Sequence, residues 1–242
     1  MNAFIQECIK ANQKIYEYIT THISATDYNY SNTIGVGGDN SLNIDLICEN
    51  IFIDHLKEFG NIYTEEAGFV KGDINHNRII IDPLDGSNNF KAKLPYYGSS
   101  VALEMNNKTV ASIVCNLANH TLIYKIDNQK PIQIDLLSLK LINKEVQVVT
   151  KLAIFEKAYD YPTVTKKLYE NNIKFRSPGA VALSLADAKN YSFVLFAGKI
   201  REFDIKAALH ICDDLHTYLD DNFLIVSKNI EAFNKIKEII KE

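Results

Sequence analysis

Apolar residues recur at positions 5, 8, 9, 15, 16 and 19 of the opening stretch MNAFIQECIKANQKIYEYIT, the spacing of an amphipathic helix. LNIDLICENIFIDHLKEF repeats that period, with Ile44, Ile47, Ile51 and Phe59 among its expected buried positions and Gly60 as its stop. The polar link between them, SATDYNYSNTIGVGGDNS, reads as a mobile loop. Short strands are predicted at 61–64 and 78–82. Then YGSSVALEM, KTVASIVCNLA and TLIYKI follow, separated by Asn-rich turns at 106–107 and 119–120, and predict antiparallel hairpins. Beyond Val146 the pattern alternates: strand VQVV, a helix near 163–171, strand IKFRS, helix AVALSLADA, strand SFVLF, helix DIKAALHICDDLH, strand FLIVS and a last helix over 229–241. That is α/β order. The chain therefore reads as an α+β half, 1–145, and an α/β half, 146–242, forming one compact unit.

Composition narrows the function. The 242 residues are 47% hydrophobic, enough for a full core, and the formal charge of −4 comes with no long basic run. A nucleic-acid partner is not expected on that ground. No apolar run is long enough to span a bilayer, and Glu7 and Lys10 interrupt the core that a signal peptide would need. Cys8, Cys48, Cys115 and Cys212 include no C-x-x-C pair and read as reduced thiols, so a cytoplasmic location is expected. Glycines 35, 37 and 38 do not complete a dinucleotide fingerprint, because Asn40 holds the last glycine's place. His210 with Asp213 and Asp214 reads as a solvated helix edge rather than a metal site.

The chemistry gathers at acids. IIIDPLDGSNNF begins as a buried strand and ends in Asp82 and Asp85. Asp-Pro and Asp-Gly alone would make a turn. Yet a second acidic pair, Glu65-Glu66, ends NIYTEEAG, and Asp204 opens a helix after GKIREF. Open α/β sheets place ligands at such strand ends. Four or more carboxylates in one confined site repel one another and call for a counter-charge. The hard oxygen donors suit a divalent cation, Mg²⁺ above all. Gly86 and Ser87 open the following segment with amides able to hold an anion, and Ser87 adds a hydroxyl. The combination points to metal-assisted hydrolysis of a phosphate ester.

DPLDGSNNF resembles the D-P-[IL]-D-G-[ST]-x-N signature of the inositol monophosphatase superfamily, which includes fructose-1,6-bisphosphatases and 3′-phosphoadenosine 5′-phosphate phosphatases. GGDNSLNIDLICENIF resembles the family's G-D-x-x-[TLK]-x-x-D helix, and YTEEAG its E-E strand end. RSPGAVALSLADA resembles its S-x-G-[AS]-x-A-x-x-L segment, and REFDIKAA its W-D-x-A-A motif, with Phe203 in place of Trp. The five motifs keep their order from residue 37 to 208. HICDDLHTYLDDNF replaces the usual glycine-rich E-A-G-G stretch.

The resemblance implies a layered α/β/α/β/α sandwich, commonly homodimeric, and a Mg²⁺-dependent phosphatase acting on a small phosphate ester. Glu65, Asp82, the Leu84 carbonyl, Asp85 and Asp204 would complete two or three Mg²⁺ sites. Asp45 would pair with Ser87 to orient the attacking water, with Glu65 also in the catalytic set. Gly86 and Ser87 would hold the phosphate, and Ser177, Gly179 and Ala180 would face the substrate. Glu66 would support Glu65 without touching metal. Members of the family are often sensitive to Li⁺. In animal-type members a carboxylate shortly before the W-D motif holds inositol hydroxyls. Here Lys199 and Arg201 stand in that stretch, and they suit a second anionic group on the substrate. The alternative is a catalytically weak regulatory or phosphate-binding protein on the same fold.

Overall fold

The structure is a computed structural model describing residues 2–38, 40–142 and 150–241. In chain order the first elements are α1 (Ala3–Glu17), β1 (Tyr30–Ile34), β2 (Asn40–Leu42), α2 (Asn43–Leu56), β3 (Asn61–Thr64), β4 (Gly68–Val70) and β5 (Asn77–Asp85). There follow α3 (Ser87–Lys91), β6 (Gly98–Met105), β7 (Lys108–Asn116), β8 (Thr121–Ile126) and β9 (Ile132–Asp135). After them come β10 (Ala153–Glu156), α4 (Pro162–Glu170), β11 (Phe175–Arg176), α5 (Val181–Ala186), β12 (Val194–Ala197), α6 (Glu202–Ile211), β13 (His216–Leu219), β14 (Phe223–Ser227) and α7 (Ile230–Lys241). Strands β3 to β9 make a seven-stranded sheet in the order β4-β3-β5-β6-β7-β8-β9, and a five-stranded sheet runs β11-β10-β12-β14-β13.

Alternation along the strands assigns the layers. Ile79 and Ile81 point into a core shared with Phe4, Ile5 and Phe52 of α1 and α2. Ile80 between them points the other way, into a core with Leu183 of α5 and Ala208 and Ile211 of α6. Val194 and Phe196 of β12 face that same middle layer, whereas Leu195 faces Leu168 of α4 and Ile236 of α7. The result is α1/α2, first sheet, α5/α6, second sheet, α4/α7: the expected α/β/α/β/α sandwich. Because both sheets are covered on both faces, their central strands are continuous apolar runs such as Ile79-Ile80-Ile81.

The predicted hairpins are present. β5, β6, β7 and β8 pair antiparallel in sequence, and Asn106 and Asn107 both take positive φ in the β6–β7 turn. Three expectations are corrected. The polar link is a 3₁₀ turn at Ala25–Tyr28 followed by the β1–β2 hairpin. The second helix ends at Leu56, four residues before Gly60. The helix expected over 204–216 ends at Ile211, and His216 to Leu219 instead pair with β14 as an exposed edge strand. The expected strand VQVV and the boundary between residues 145 and 146 lie outside the described residues. His210 is tied inward, its Nδ1 2.8 Å from Ser112 Oγ and its Nε2 3.0 Å from the Asp127 carbonyl oxygen. All four cysteines are buried and unpaired. Among the described residues no helix is long and apolar enough to cross a membrane.

Candidate metal centre and active site

β3 and β5 run parallel, Thr64 opposite Ile81, so their C-terminal ends open at one edge of the sheet. Glu65 follows β3 there, its amide donating to the Ile81 carbonyl at 3.3 Å. Asp82 and Asp85 end β5. In a regular strand, residues three apart face opposite sides. Pro83 has no N–H to give the ladder, and the register with β6 shifts between Asp82 and Asp85. This irregularity lets both carboxylates line one cavity, of about 500 Å³. The Leu84 amide donates to Asp82 Oδ1 at 3.0 Å and sets that side chain. Asp204 enters from the first turn of α6.

Carboxylate oxygens of Glu65, Asp82 and Asp204 lie within 4.8 Å of one another. Burial pushes the Asp82 carboxyl well above its ordinary range, and Glu65, Asp85 and Asp204 push it further. Asp85 is raised likewise, by burial and by Asp204. It stands outside the group of three: its Oδ1 and Oδ2 accept the amides of Val181 and Leu183 at 3.0 and 3.1 Å. Each oxygen has capacity to accept a further bond, and Asp85 lines the cavity.

Arg201 supplies the counter-charge among the protein's own groups. Its Nε and Nη2 donate to the two oxygens of Asp204 at 2.9 and 3.0 Å, and its Nη1 to Glu65 Oε1 at 2.6 Å. The β1–β2 hairpin closes over this pair. A Cβ on Gly37 would stand 2.6 Å from Glu65 Oε1 and 2.9 Å from Arg201 Nη1, so only glycine fits without displacing them. Glu66 anchors the same hairpin by accepting the Ser41 hydroxyl.

The remaining expected residues divide. Asp45 is buried in the first turn of α2 and lines the cavity; one oxygen accepts the Leu42 amide at 2.7 Å, and the other is buried without a partner. Burial first, then Glu66, Glu65 and Glu49, raise its carboxyl to about 8. The expected hydrogen bond from Ser87 is not among those Asp45 makes with the described residues: the Leu42 amide takes one oxygen, and the other has no partner. Leu84, Gly86 and Ser87 line the cavity. Gly86 has φ 84°, which turns the chain from β5 into α3. Gly179 lines it too, whereas Ser177 is exposed outside the lining and Ala180 is buried beneath it. Lys199 is exposed and also outside, because it projects from the loop between β12 and α6.

Sequence reading missed several lining residues, among them Tyr30, Glu156, Lys157, Tyr159 and Asp160. Glu156 ends β10 and is buried, accepting the Ser184 hydroxyl at 2.5 Å and the Gly179 amide at 2.8 Å. The signal was an acid closing an apolar strand, the same one that exposed Asp82, but with VQVV taken as the strand IFEK was passed over. A larger groove, about 780 Å³, lies elsewhere between Ile123, Ile132 and Ile211 and gathers no comparable set of acids among the described residues.

The hard oxygen donors of Glu65, Asp82 and Asp204 and the repulsion among them fit a metal cation. Known proteins resemble the chain in sequence and in fold. Over 82 residues the chain is 32% identical to fructose-1,6-bisphosphatase from Pyrococcus furiosus, covering 34% of this chain and about a third (32%) of that protein. Over 197 residues it is 25% identical to the Nus factor SuhB of Escherichia coli K12, covering 77% of this chain and 72% of that one. A solved structure described as an inositol monophosphatase–fructose 1,6-bisphosphatase superposes with a TM-score of 0.81 over 99% of this chain and 100% of that one, at 19% identity, a likeness of fold. The model of the inositol monophosphatase family matches residues 3–215, and the chain belongs to that family.

Proposed function

We propose that this chain is a Mg²⁺-dependent phosphatase of small phosphorylated metabolites, the class that spans inositol phosphates, sugar bisphosphates and 3′-phosphoadenosine 5′-phosphate. The observation that carries the reading is the convergence of Glu65, Asp82 and Asp204 at one cavity edge. Glu65, Asp82, the Leu84 carbonyl, Asp85 and Asp204 would hold the ions. Bound there, Mg²⁺ would offset phosphate charge and acidify a water.

The chain's own groups do the positioning. The Val181 and Leu183 amides fix the Asp85 carboxylate. The amides of Gly86 and Ser87 would hold phosphate oxygens, and the Ser87 hydroxyl would aim the attacking water without being phosphorylated itself. Asp45, which lines the cavity with one oxygen unpartnered, would exchange a proton with that water.

Phosphate release from a panel of esters, with and without Mg²⁺, tests the reading. Release that needs Mg²⁺, is inhibited by Li⁺ and is unaffected by equal K⁺ is expected; no Mg²⁺-dependent release from any ester would sink it. The likeness to a protein named as a Nus factor supports a second reading, a binding protein on this fold. The intact set of acids favours the enzyme.

A further inference from the structure

Two cations line the cavity, Arg201 and Lys157. Arg201 is engaged by Glu65 and Asp204. Lys157 differs in three respects. It makes no ion pair with a carboxylate among the described residues; its ammonium rests 5.3 Å from the centre of the Phe196 ring. It is fixed at φ 58°, ψ 30°, a left-handed conformation that disfavours any residue but glycine. The acid next to it, Glu156, accepts the Ser184 hydroxyl and the Gly179 amide and makes no ion pair with the ammonium among the described residues.

Position gives the cation its meaning. β10 and β12 run parallel, with Glu156 opposite Phe196, so Lys157 and the loop from Gly198 to Arg201 leave the second sheet at the same edge. The lysine stem lies along that loop, its Cδ 3.5 Å from where a Gly198 Cβ would stand. Lys157 therefore stands on the second-sheet wall of the cavity, whereas Glu65, Asp82 and Asp85 come from the first sheet.

We propose that Lys157 sets substrate specificity: its ammonium takes a second phosphate group of the substrate, away from the ester being cleaved. This deepens the phosphatase reading and rests on it. An ammonium on a flexible stem pairs with a dianion without demanding one geometry. It thereby takes the part that the sequence suggested for Lys199, which lies outside the cavity.

The test compares propane-1,3-diol bisphosphate, 4-phosphooxybutanoate and propyl phosphate as substrates of wild type, Lys157→Arg, Lys157→Met and Lys157→Gly. Wild type should prefer the bisphosphate over propyl phosphate by ~10-fold or more in kcat/KM, carried by KM. Lys157→Arg should keep that ratio, and Lys157→Met and Lys157→Gly should lose it. Lys157→Gly also relieves the backbone, so it folds even where Lys157→Met does not. Equal preference for the carboxylate compound would overturn the assignment to phosphate. Binding of propane-1,3-bisphosphonate against propylphosphonate, measured by calorimetry, needs no turnover. A Lys157-dependent ratio there upholds the subsite even if no ester is hydrolysed, which would defeat only the catalytic reading. A ratio unchanged in Lys157→Gly, in turnover and in binding, overturns the proposal.

Discussion

Asp45 shows what burial does to a single carboxyl. The unfolded chain gives up this proton at about pH 4, whereas the folded protein keeps it up to about 8. Between those values the folded state binds the extra proton, so without metal stability falls as pH rises. Asp45→Asn removes that dependence. Its melting temperature, measured by calorimetry in EDTA, should exceed wild type by several degrees at pH 8 and differ little at pH 4; equal temperatures at pH 8 would refute the buried-acid account. Asp82→Asn carries the same logic into function. Relief of repulsion with Glu65, Asp85 and Asp204 should raise the melting temperature of the metal-free protein. Phosphate release at saturating Mg²⁺ should fall ~100-fold or more, because charge compensation worth several kcal/mol is lost. Near-normal turnover would remove Asp82 from the metal set. Asp82 was legible in the sequence because it closes a short apolar strand, whereas Asp45, in the first turn of a helix, was legible only through the family resemblance. Lys157 was not legible, since only its backbone angle and its neighbours distinguish it from a surface lysine.

At the level of elements, the β1–β2 hairpin joins the site through glycine. Gly37→Ala would press a methyl against Glu65 and Arg201 while the Gly37 amide is tied to the Glu65 carbonyl at 3.1 Å. Mg²⁺ affinity by calorimetry is expected to weaken ~10-fold, with a small loss in melting temperature. Unchanged affinity would mean that the hairpin yields and plays no part in setting Glu65. The hairpin was hidden in the sequence because its strands are short and mostly polar, and among the described residues its register rests on the pairs Tyr30–Leu42 and Ile34–Asn40. β10 was hidden for a different reason: four residues, AIFE, buried on both faces, have no period by which to separate strand from helix. The meander of β5 to β8 was plain, because Asn pairs mark its turns and the runs between them are long.

Across the molecule, alternation along the strands decided the layers: neighbouring residues such as Ile79 and Ile80 must each find a helix on their own side. A homodimer is what the sequence resemblance leads one to expect, and light scattering at several concentrations checks it. The dispersed origin of the acids has a consequence for mechanics. Glu65, Asp82 and Asp85 ride on the first sheet, Asp204 on the helices sandwiched between the sheets, and Asp85 is bonded to those helices as well. An ion held by this set acts as a rivet through two layers. Its binding free energy then counts as cohesion between layers, increasing with RT ln(1 + [L]/Kd). Mg²⁺ should slow amide hydrogen exchange at the start of α5 and α6 and the end of β5 together, leaving β13 at the far edge of the second sheet unaffected; protection confined to the liganding residues would deny it. By the same linkage, pressure or denaturant that pries the layers apart must loosen the ion's grip before the strands themselves come undone.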